Sequence, residues 1–189
     1  MLKKTKILIV VDVQNDFIDG SLFNPEAIVR VPNIVKKING FNGDYIIATQ
    51  DTHDDNYMST KEGKALPVVH CIKGTDGWKI NDSVEKALTE AEAKKMVKRI
   101  CKPTFGSFDL VDAVKSIWEA EKEQGSKILE IEICGFCSDI CIISNALMLK
   151  AAFYEDATIS VIENCCAGVT EESHKAALTT MKMCQINIH

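Results

Sequence analysis

The sequence has neither a long apolar run nor a run of basic residues, and each absence excludes a class of protein. No stretch of the 189 residues is apolar enough to span a bilayer. The net charge is −5 and no Lys/Arg-rich stripe is present, which argues against a nucleic-acid-binding surface. Repeats, low-complexity tracts and linkers are also missing. With 46% hydrophobic residues, the chain is predicted to form one domain over residues 1–189 with a substantial core.

A secretion signal is missing as well. Lysines precede an apolar run in MLKKTKILIVVDVQ, but the run is short, meets Asp12 and has no small-residue cleavage site. We therefore interpret it as a β-strand. Eight cysteines without such a signal indicate free thiols in a reducing cytoplasm rather than a disulfide framework.

Apolar runs alternate with segments of helical periodicity along the chain. The runs that predict strands are KILIVVDV (6–13), YIIAT (45–49), MVKRI (96–100), ILEIEICG (128–135), TISVIE (158–163) and QINI (185–188). The amphipathic segments that predict helices are 24–39, 108–122, 139–154 and 171–183, the last of them capped by Thr170. This alternation predicts an α/β fold of three layers, with a mostly parallel, doubly wound sheet of about six strands.

The interval 51–92 interrupts the alternation because it is long and polar and contains Gly63, Pro67, Gly74 and Gly77. Long irregular segments of compact domains are usually functional or disordered. In open α/β sheets, ligands bind beyond the carboxyl ends of the strands. The residues that follow each predicted strand are therefore the first candidates for a site.

Side chains with reactive chemistry follow four of the predicted strands. Asp12 ends the first strand, Asp51 and His53 follow the second, Lys102 follows the third and Cys141 follows the fourth. Singly, each has an ordinary explanation: a turn aspartate, a solvated lysine, a cysteine buried as a small apolar residue. Because parallel strands end at one edge of the sheet, the sequence places an acid, a base and a thiol together there.

The segment ICGFCSDICIISNA places Cys141 in the first turn of a helix. Gly135 closes the preceding strand, and Ser138 or Asp139 is the expected cap of the helix. The helix N-terminus and a nearby lysine should lower the pKa of the thiol toward thiolate. The backbone N–H groups of Cys141 and Cys137 could hold an oxyanion. A carboxylate could take the thiol proton and deliver it to a leaving amine, which gives a Cys–Asp–Lys triad.

Cys137 and Cys141 of this segment have other interpretations: a redox pair, half of a metal site, or core residues. Their CxxxC spacing differs from the redox CxxC motif, and no second Cys/His pair with zinc-finger spacing accompanies them. We favour Cys141 as a nucleophile, with Cys137 lining the site. A disulfide between them is the redox alternative.

The segment QDTHDDNYMSTKEGKALPVVHC contains a candidate metal site. Four of its residues have ligand chemistry: Asp51, His53, Glu62 and His70. Asp-x-His on an extended backbone sends both side chains to the same side. Two imidazoles with carboxylates suit Zn²⁺, with Fe²⁺ or Mn²⁺ as alternatives, although each residue alone could be an ordinary polar loop residue. The other histidines, His174 and His189, are predicted to be surface residues.

Five blocks of the sequence resemble the isochorismatase-like cysteine hydrolases, and within them the nicotinamidases. The blocks are VVDVQNDF (10–17), TQDTH (49–53), VVHCIKGT (68–75), KPTFGSF (102–108) and CGFCSDICI (134–142). They occur in the family's order from the first strand to the fourth, and the remaining elements fit the rest of its fold. The resemblance therefore covers essentially the whole chain.

The resemblance implies a role for each residue of the triad. Asp12 is expected to be the general acid/base, Lys102 the cation that stabilises the thiolate, and Cys141 the nucleophile. A cis peptide between Phe136 and Cys137 would turn the backbone N–H groups of Cys137 and Cys141 toward the oxyanion.

The resemblance also implies a metal ion that binds the pyridine nitrogen of nicotinamide and holds its carboxamide against the thiol. The ligands fall on Asp51, His53 and His70, with Glu62 as the fourth where other members have a histidine near Tyr57. The implied reaction is deamidation of nicotinamide to nicotinate and ammonia through a thioester, in NAD salvage. Three alternatives stay open: an amidase for another small amide or carbamoyl compound, a non-catalytic metal- or ligand-binding protein, and a thiol redox protein.

The sequence departs from the family near the expected substrate ring. Leu66 precedes Pro67 where members often have tryptophan, so Phe17, Leu66 and Phe105 are the expected substrate contacts, with core packing as the alternative for the two phenylalanines. The expected partner is a small-molecule amide rather than a nucleic acid or a membrane. Members of the family are often dimeric or tetrameric, so the resemblance also implies a homo-oligomer.

Overall fold

The computed structural model describes residues 2–189 and contains one six-stranded, all-parallel sheet. The strands lie in the order β3-β2-β1-β4-β5-β6. Their bounds are β1 Lys4–Val11, β2 Tyr45–Asp51, β3 Met96–Lys102, β4 Ile128–Phe136, β5 Ala157–Ala167 and β6 Asn187–Ile188. The predicted fold class is confirmed, and all six predicted strands are present.

Helices cover both faces of the sheet. Their bounds are α1 Pro25–Gly40, α2 Lys61–Ala65, α3 Asp82–Ala91, α4 Phe108–Glu123, α5 Ile143–Ala152 and α6 Glu171–Met183. The α1 and α3 helices pack on one face, and α4, α5 and α6 pack on the other. None of the helices in the described part of the chain is long and apolar enough to cross a membrane.

The interval 51–92 is less irregular than its composition predicted, since it contains α2 and α3. The α3 helix has a conventional start, in which the Asn81 side chain accepts the N–H of Ser83. Val84, Ala87 and Leu88 are spaced to form one buried stripe on this helix. The prediction that residues 51–92 are irregular was wrong for α3, because glycines and polar residues nearby obscured this short amphipathic helix.

The sheet reverses its order of connection between β1 and β4, which makes a crevice at the carboxyl ends of these strands. The core of β1 is apolar on both faces, with Ile7 to Val11 all buried. Val11 pairs with Thr49 of β2 and with Gly135 of β4, and Asp51 pairs with Lys102 on β3. The ends of four strands therefore lie in one row along the crevice.

Gly135 allows β1 and β4 to approach closely at this crevice. Its φ is +121°, and a Cβ at this position would lie 2.0 Å from the carbonyl oxygen of Val11. No side chain fits there without a shift of the backbone.

We expect Gly135→Ala to lower the free energy of unfolding by at least about 2 kcal/mol, because it adds a backbone clash to an unfavourable φ. Urea denaturation measures this loss. Gly40→Ala is the matched control, since an added Cβ at Gly40 meets nothing within 4 Å. Equal stabilities of the two variants would contradict the explanation.

Candidate active site

The three predicted triad residues converge at the carboxyl edge of the sheet. The Lys102 Nζ lies 2.7 Å from Asp12 Oδ2 and donates a hydrogen bond to Cys141 Sγ at 3.4 Å. Asp12, Lys102 and Cys141 are each at most 5% exposed. An acid, an ammonium and a thiol thus share one water-poor pocket.

Asp12 is held by its own backbone and by β2. Its φ is +49°, and its N–H donates to the carbonyl of Thr49 at 3.1 Å. The Thr49 hydroxyl donates to Oδ1 of Asp12 at 2.7 Å. Oδ2 has the ionic contact with Lys102 but no aligned hydrogen-bond donor among the described residues. This oxygen therefore keeps a lone pair that can accept a proton.

Lys102 connects the thiol to the carboxylates on both sides. Its ammonium also donates to Asp51 Oδ1 at 3.3 Å and to the carbonyl of Thr104 at 3.1 Å. Burial alone would lower the pKa of Lys102, but the charges of Asp12, Cys141 and Asp51 raise it above its ordinary value. Lys102 is therefore a fixed cation rather than a group that exchanges protons.

The resting thiol of Cys141 is protonated. Burial raises the pKa of this thiol well above its ordinary value, the Asp12 carboxylate raises it further, and the charge of Lys102 lowers it. The predicted effect of the lysine is present, since Lys102 lowers this pKa, but the predicted net shift toward thiolate is wrong for the resting site. Burial and the neighbouring carboxylate outweigh them, so the thiol needs a base when it reacts.

Cys141, the predicted nucleophile, lies in a π-helical turn, Ser138–Ile142, which leads directly into α5. The predicted caps are wrong, because Cys137 occupies the cap position and no side chain of the described chain caps this turn. The Phe136–Cys137 peptide is cis, as the family resemblance implied. No side chain among residues 2–189 therefore accepts a hydrogen bond from the backbone N–H groups at the start of the turn.

Two residues that the sequence analysis missed hold the metal-site segment against β1. Gln14 donates to the Asp51 carbonyl at 2.8 Å and accepts the Asp51 N–H at 2.7 Å. Asp16 accepts the N–H of Cys71 at 2.7 Å, next to His70. The available signal was their alternation with Asp12, since residues 12, 14 and 16 follow one strand at every second position.

The four predicted metal ligands form one cluster, with all ligand atoms within 4.8 Å of one another. Nε2 of His53 lies 3.0 Å from Asp51 Oδ2 and 3.6 Å from Glu62 Oε1. Nε2 of His70 lies 3.6 Å and 3.9 Å from the same two oxygens. These spacings are near the about 3.0–3.4 Å between neighbouring donors around a metal ion at about 2.1 Å. The cluster can hold a metal ion.

Neighbouring groups determine which atoms of His70 and Asp51 can bind a metal. The Nδ1–H of His70 donates to the Val68 carbonyl at 2.8 Å, which leaves Nε2 free to bind a metal. Burial would raise the pKa of Asp51, but hydrogen bonds with His53 and His70 and the charge of Lys102 lower it. Asp51 is therefore an ionised ligand.

Tyr57 stands where relatives were expected to place a histidine, and here it packs instead of binding. Its ring centroid lies 4.7 Å from that of His53 and 4.9 Å from that of His70. Its hydroxyl donates to the Leu66 carbonyl at 3.0 Å. Tyr57 thus fixes both imidazole rings and the segment that carries Leu66.

One cavity of about 950 Å³ opens onto both the thiol and the metal cluster. Its lining includes all three expected substrate contacts, two cysteines of the predicted nucleophile segment and three of the four predicted metal ligands: Phe17, Leu66, Phe105, Cys137, Cys141, Asp51, Glu62 and His70. Phe17 is buried and meets the His70 ring edge-on, with centroids 5.8 Å apart. Leu66 and Phe105 are 37% and 45% exposed at the mouth.

The structure has no disulfide bond between Cys137 and Cys141, which the redox alternative would require. Cys137 and Cys141 are both free thiols, as are the other six cysteines of the chain. Cys137 lines the cavity, as predicted for a residue beside the nucleophile.

The isochorismatase domain model matches residues 6–188. The chain belongs to the isochorismatase family. The predicted family is thereby confirmed, and the order of the five sequence blocks reflects this common fold.

Relatives with this fold align over nearly their whole length. An uncharacterized isochorismatase family protein, PncA of Bacillus subtilis, is 29% identical over 92% of this chain and 92% of its own. The crystal structure of the nicotinamidase/pyrazinamidase PncA from Bacillus subtilis has a TM-score of 0.80 and 26% identity, covering 97% of this chain and 98% of that one. The pyrazinamidase/nicotinamidase from Streptococcus mutans has a TM-score of 0.79 and 26% identity, covering 98% and 100%.

We expect Asp12→Asn to lower the pKa of Cys141, because it removes a negative charge that opposes thiolate and leaves Lys102 in place. The pH profile of iodoacetamide labelling at Cys141, read by peptide mass mapping, should shift to lower pH. Thr49→Val is the matched control, since it removes a hydrogen bond to Asp12 but keeps the charge. An unchanged profile in Asp12→Asn would refute this account of the thiol.

Removal of the metal should destabilise the protein. A metal present at about 100 times its Kd adds about 2.7 kcal/mol to folding, so a chelator should lower the thermal midpoint by about 5 °C or more. In His70→Ala the chelator should have little effect, whereas His189→Ala, on an exposed side chain, should behave as the wild type. A wild-type midpoint that is the same in added zinc as in chelator would count against the site.

Proposed function

We propose that this protein is a nicotinamidase, a hydrolase that converts nicotinamide to nicotinate and ammonia. The observation that carries the proposal is the single cavity that joins Cys141, the thiol of a Cys–Asp–Lys triad, to Asp51, Glu62 and His70 of a two-histidine, two-carboxylate cluster. The relatives named nicotinamidase have the same fold over nearly the whole chain. Family membership alone would not specify the substrate, because one fold serves many reactions.

The substrate ring is proposed to lie beside Phe17, between the metal cluster and the thiol. A zinc ion held by Asp51, His53, Glu62 and His70 would supply a Lewis acid for the pyridine nitrogen and for water, with Fe²⁺ or Mn²⁺ as alternatives. Leu66 and Phe105 at the mouth would cover the outer side of the ring. This arrangement directs the carboxamide toward Cys141.

In the first half-reaction, Asp12 accepts the thiol proton while the sulfur of Cys141 attacks the carboxamide carbon. The backbone N–H groups of Cys137 and Cys141 are proposed to hold the oxyanion. Lys102 keeps its proton and stabilises the negative sulfur. Asp12 then passes its proton to the leaving nitrogen, so that ammonia departs and a thioester remains.

In the second half-reaction, Asp12, now ionised again, accepts a proton from water as the water oxygen attacks the thioester carbon. The carbon–sulfur bond breaks, and the sulfur of Cys141 regains a proton from Asp12. Nicotinic acid leaves and becomes nicotinate by giving its proton to water or to ammonia, and the site returns to its resting state with a protonated thiol. The same carboxylate therefore serves as base and acid in both halves.

A second candidate is an amidase of the same family that acts on another small amide or carbamoyl compound. A cavity of about 950 Å³ with a partly exposed Leu66 at its mouth has room beyond one pyridine ring. The cytoplasmic location, the role in NAD salvage and the homo-oligomer stay predictions.

The proposal predicts ammonia release from nicotinamide and from pyrazinamide, and much less from aliphatic amides that lack a ring nitrogen. Cys141→Ala should reduce the rate by at least about 10³-fold, because it removes the attacking atom. Cys101→Ala, at an exposed free thiol, is the matched control and should retain activity. Wild-type protein that carries stoichiometric metal and yet releases no ammonia from nicotinamide would disprove the substrate assignment.

A further inference from the structure

Ser138, in the nucleophile turn, contacts α6 instead of capping its own helix. The Ser138 side chain is completely buried, and its Oγ lies 2.6 Å from Nδ1 of His174. The prediction that His174 is a surface residue is wrong, because this side chain is partly buried against the turn. Whichever atom carries the proton, the hydrogen bond uses Nδ1 of the ring.

The next residue of the turn is fastened to the same helix. The Asp139 carboxylate accepts the N–H of Val169 at 3.0 and 3.2 Å and also accepts a hydrogen bond from the Ser173 hydroxyl. Gly168 passes so close that an added Cβ would lie 2.8 Å from the Cβ of His174. Two consecutive residues of the turn are therefore held by the start of α6.

These contacts lie between the two backbone N–H groups that the proposed mechanism uses for the oxyanion. Cys137 immediately precedes Ser138, and Cys141 lies three residues after it. Productive donors must be held within about 0.5 Å of their required position. The turn has no side-chain cap of its own, so contacts from outside the turn must fix its position.

We propose that His174 is a positioning residue for the oxyanion site. Its Nδ1 bond to Ser138 orients the backbone N–H groups of Cys137 and Cys141 toward the tetrahedral intermediate. His174 does not line the cavity, so it acts through Ser138 and not on the substrate. The inference rests on the proposed nicotinamidase function and deepens it.

Three substitutions of His174 distinguish the effect of its Nδ1 hydrogen bond from the effect of its ring packing. The amide of asparagine reaches the position of Nδ1, whereas the amide of glutamine reaches that of Nε2. We expect His174→Ala and His174→Gln to lower kcat for nicotinamide by about 5- to 150-fold, the usual range for loss of one buried hydrogen bond. KM should change little, and His174→Asn should recover most of the lost kcat. His189→Ala is the control for a histidine outside the site.

A double-mutant cycle and an aldehyde probe test the route through Ser138. Ser138→Ala should lose as much kcat as His174→Ala, and the double variant should lose no more than either.

Nicotinaldehyde should add to Cys141: a carbon–sulfur bond forms, the thiol proton moves to the aldehyde oxygen, and this oxygen occupies the oxyanion site. His174→Ala should weaken nicotinaldehyde binding while nicotinate binding stays near wild type.

The outcomes separate this inference from the function on which it rests. Wild-type protein that is inactive on nicotinamide would overturn the proposed function and the inference with it. An active wild type with an unchanged kcat in His174→Ala would overturn the inference alone. Equal losses in the Asn and Gln variants would also overturn it, because the ring's packing and not its Nδ1 would then be responsible.

Discussion

The buried ammonium of Lys102 is the interaction on which the rest of the site depends. It contacts Asp12, Asp51 and Cys141 at 2.7, 3.3 and 3.4 Å, in a region that is almost closed to water. Burying one ammonium without partners costs several kcal/mol, and so does burying each carboxylate alone. The groups are stable only together, which ties the ends of β1, β2 and β3 to the nucleophile turn after β4.

The same interaction joins the two chemistries of the cavity. Asp51 gives one oxygen to Lys102 and the other to the histidine cluster, so the triad and the metal site share a residue. Gln14 then fixes the backbone of Asp51 from the strand end that also carries Asp12. A change in either half of the site is therefore transmitted to the other through short, buried contacts.

Burial also determines the direction in which protons move. In a well-solvated pocket, a lysine beside a thiol would favour thiolate, whereas here burial and the Asp12 carboxylate keep the Cys141 proton in place. The Asp12 carboxylate, which contacts Lys102 through Oδ2, is the natural acceptor of that proton. The thiol is thus activated during the reaction, in a turn whose position is set from outside by α6.

The sequence by itself determined the fold class and the residues at the edge of the sheet, because apolar runs such as Ile7 to Val11 define strands and parallel strands end on one side. It also predicted the four residues of the candidate metal cluster as a set, since their chemistry and spacing are local. Only the tertiary structure decided the direction of the Cys141 pKa shift, the absence of a cap at Ser138 and the contact of His174 with Ser138. These depend on burial and on contacts between residues far apart in the chain, which no local pattern records.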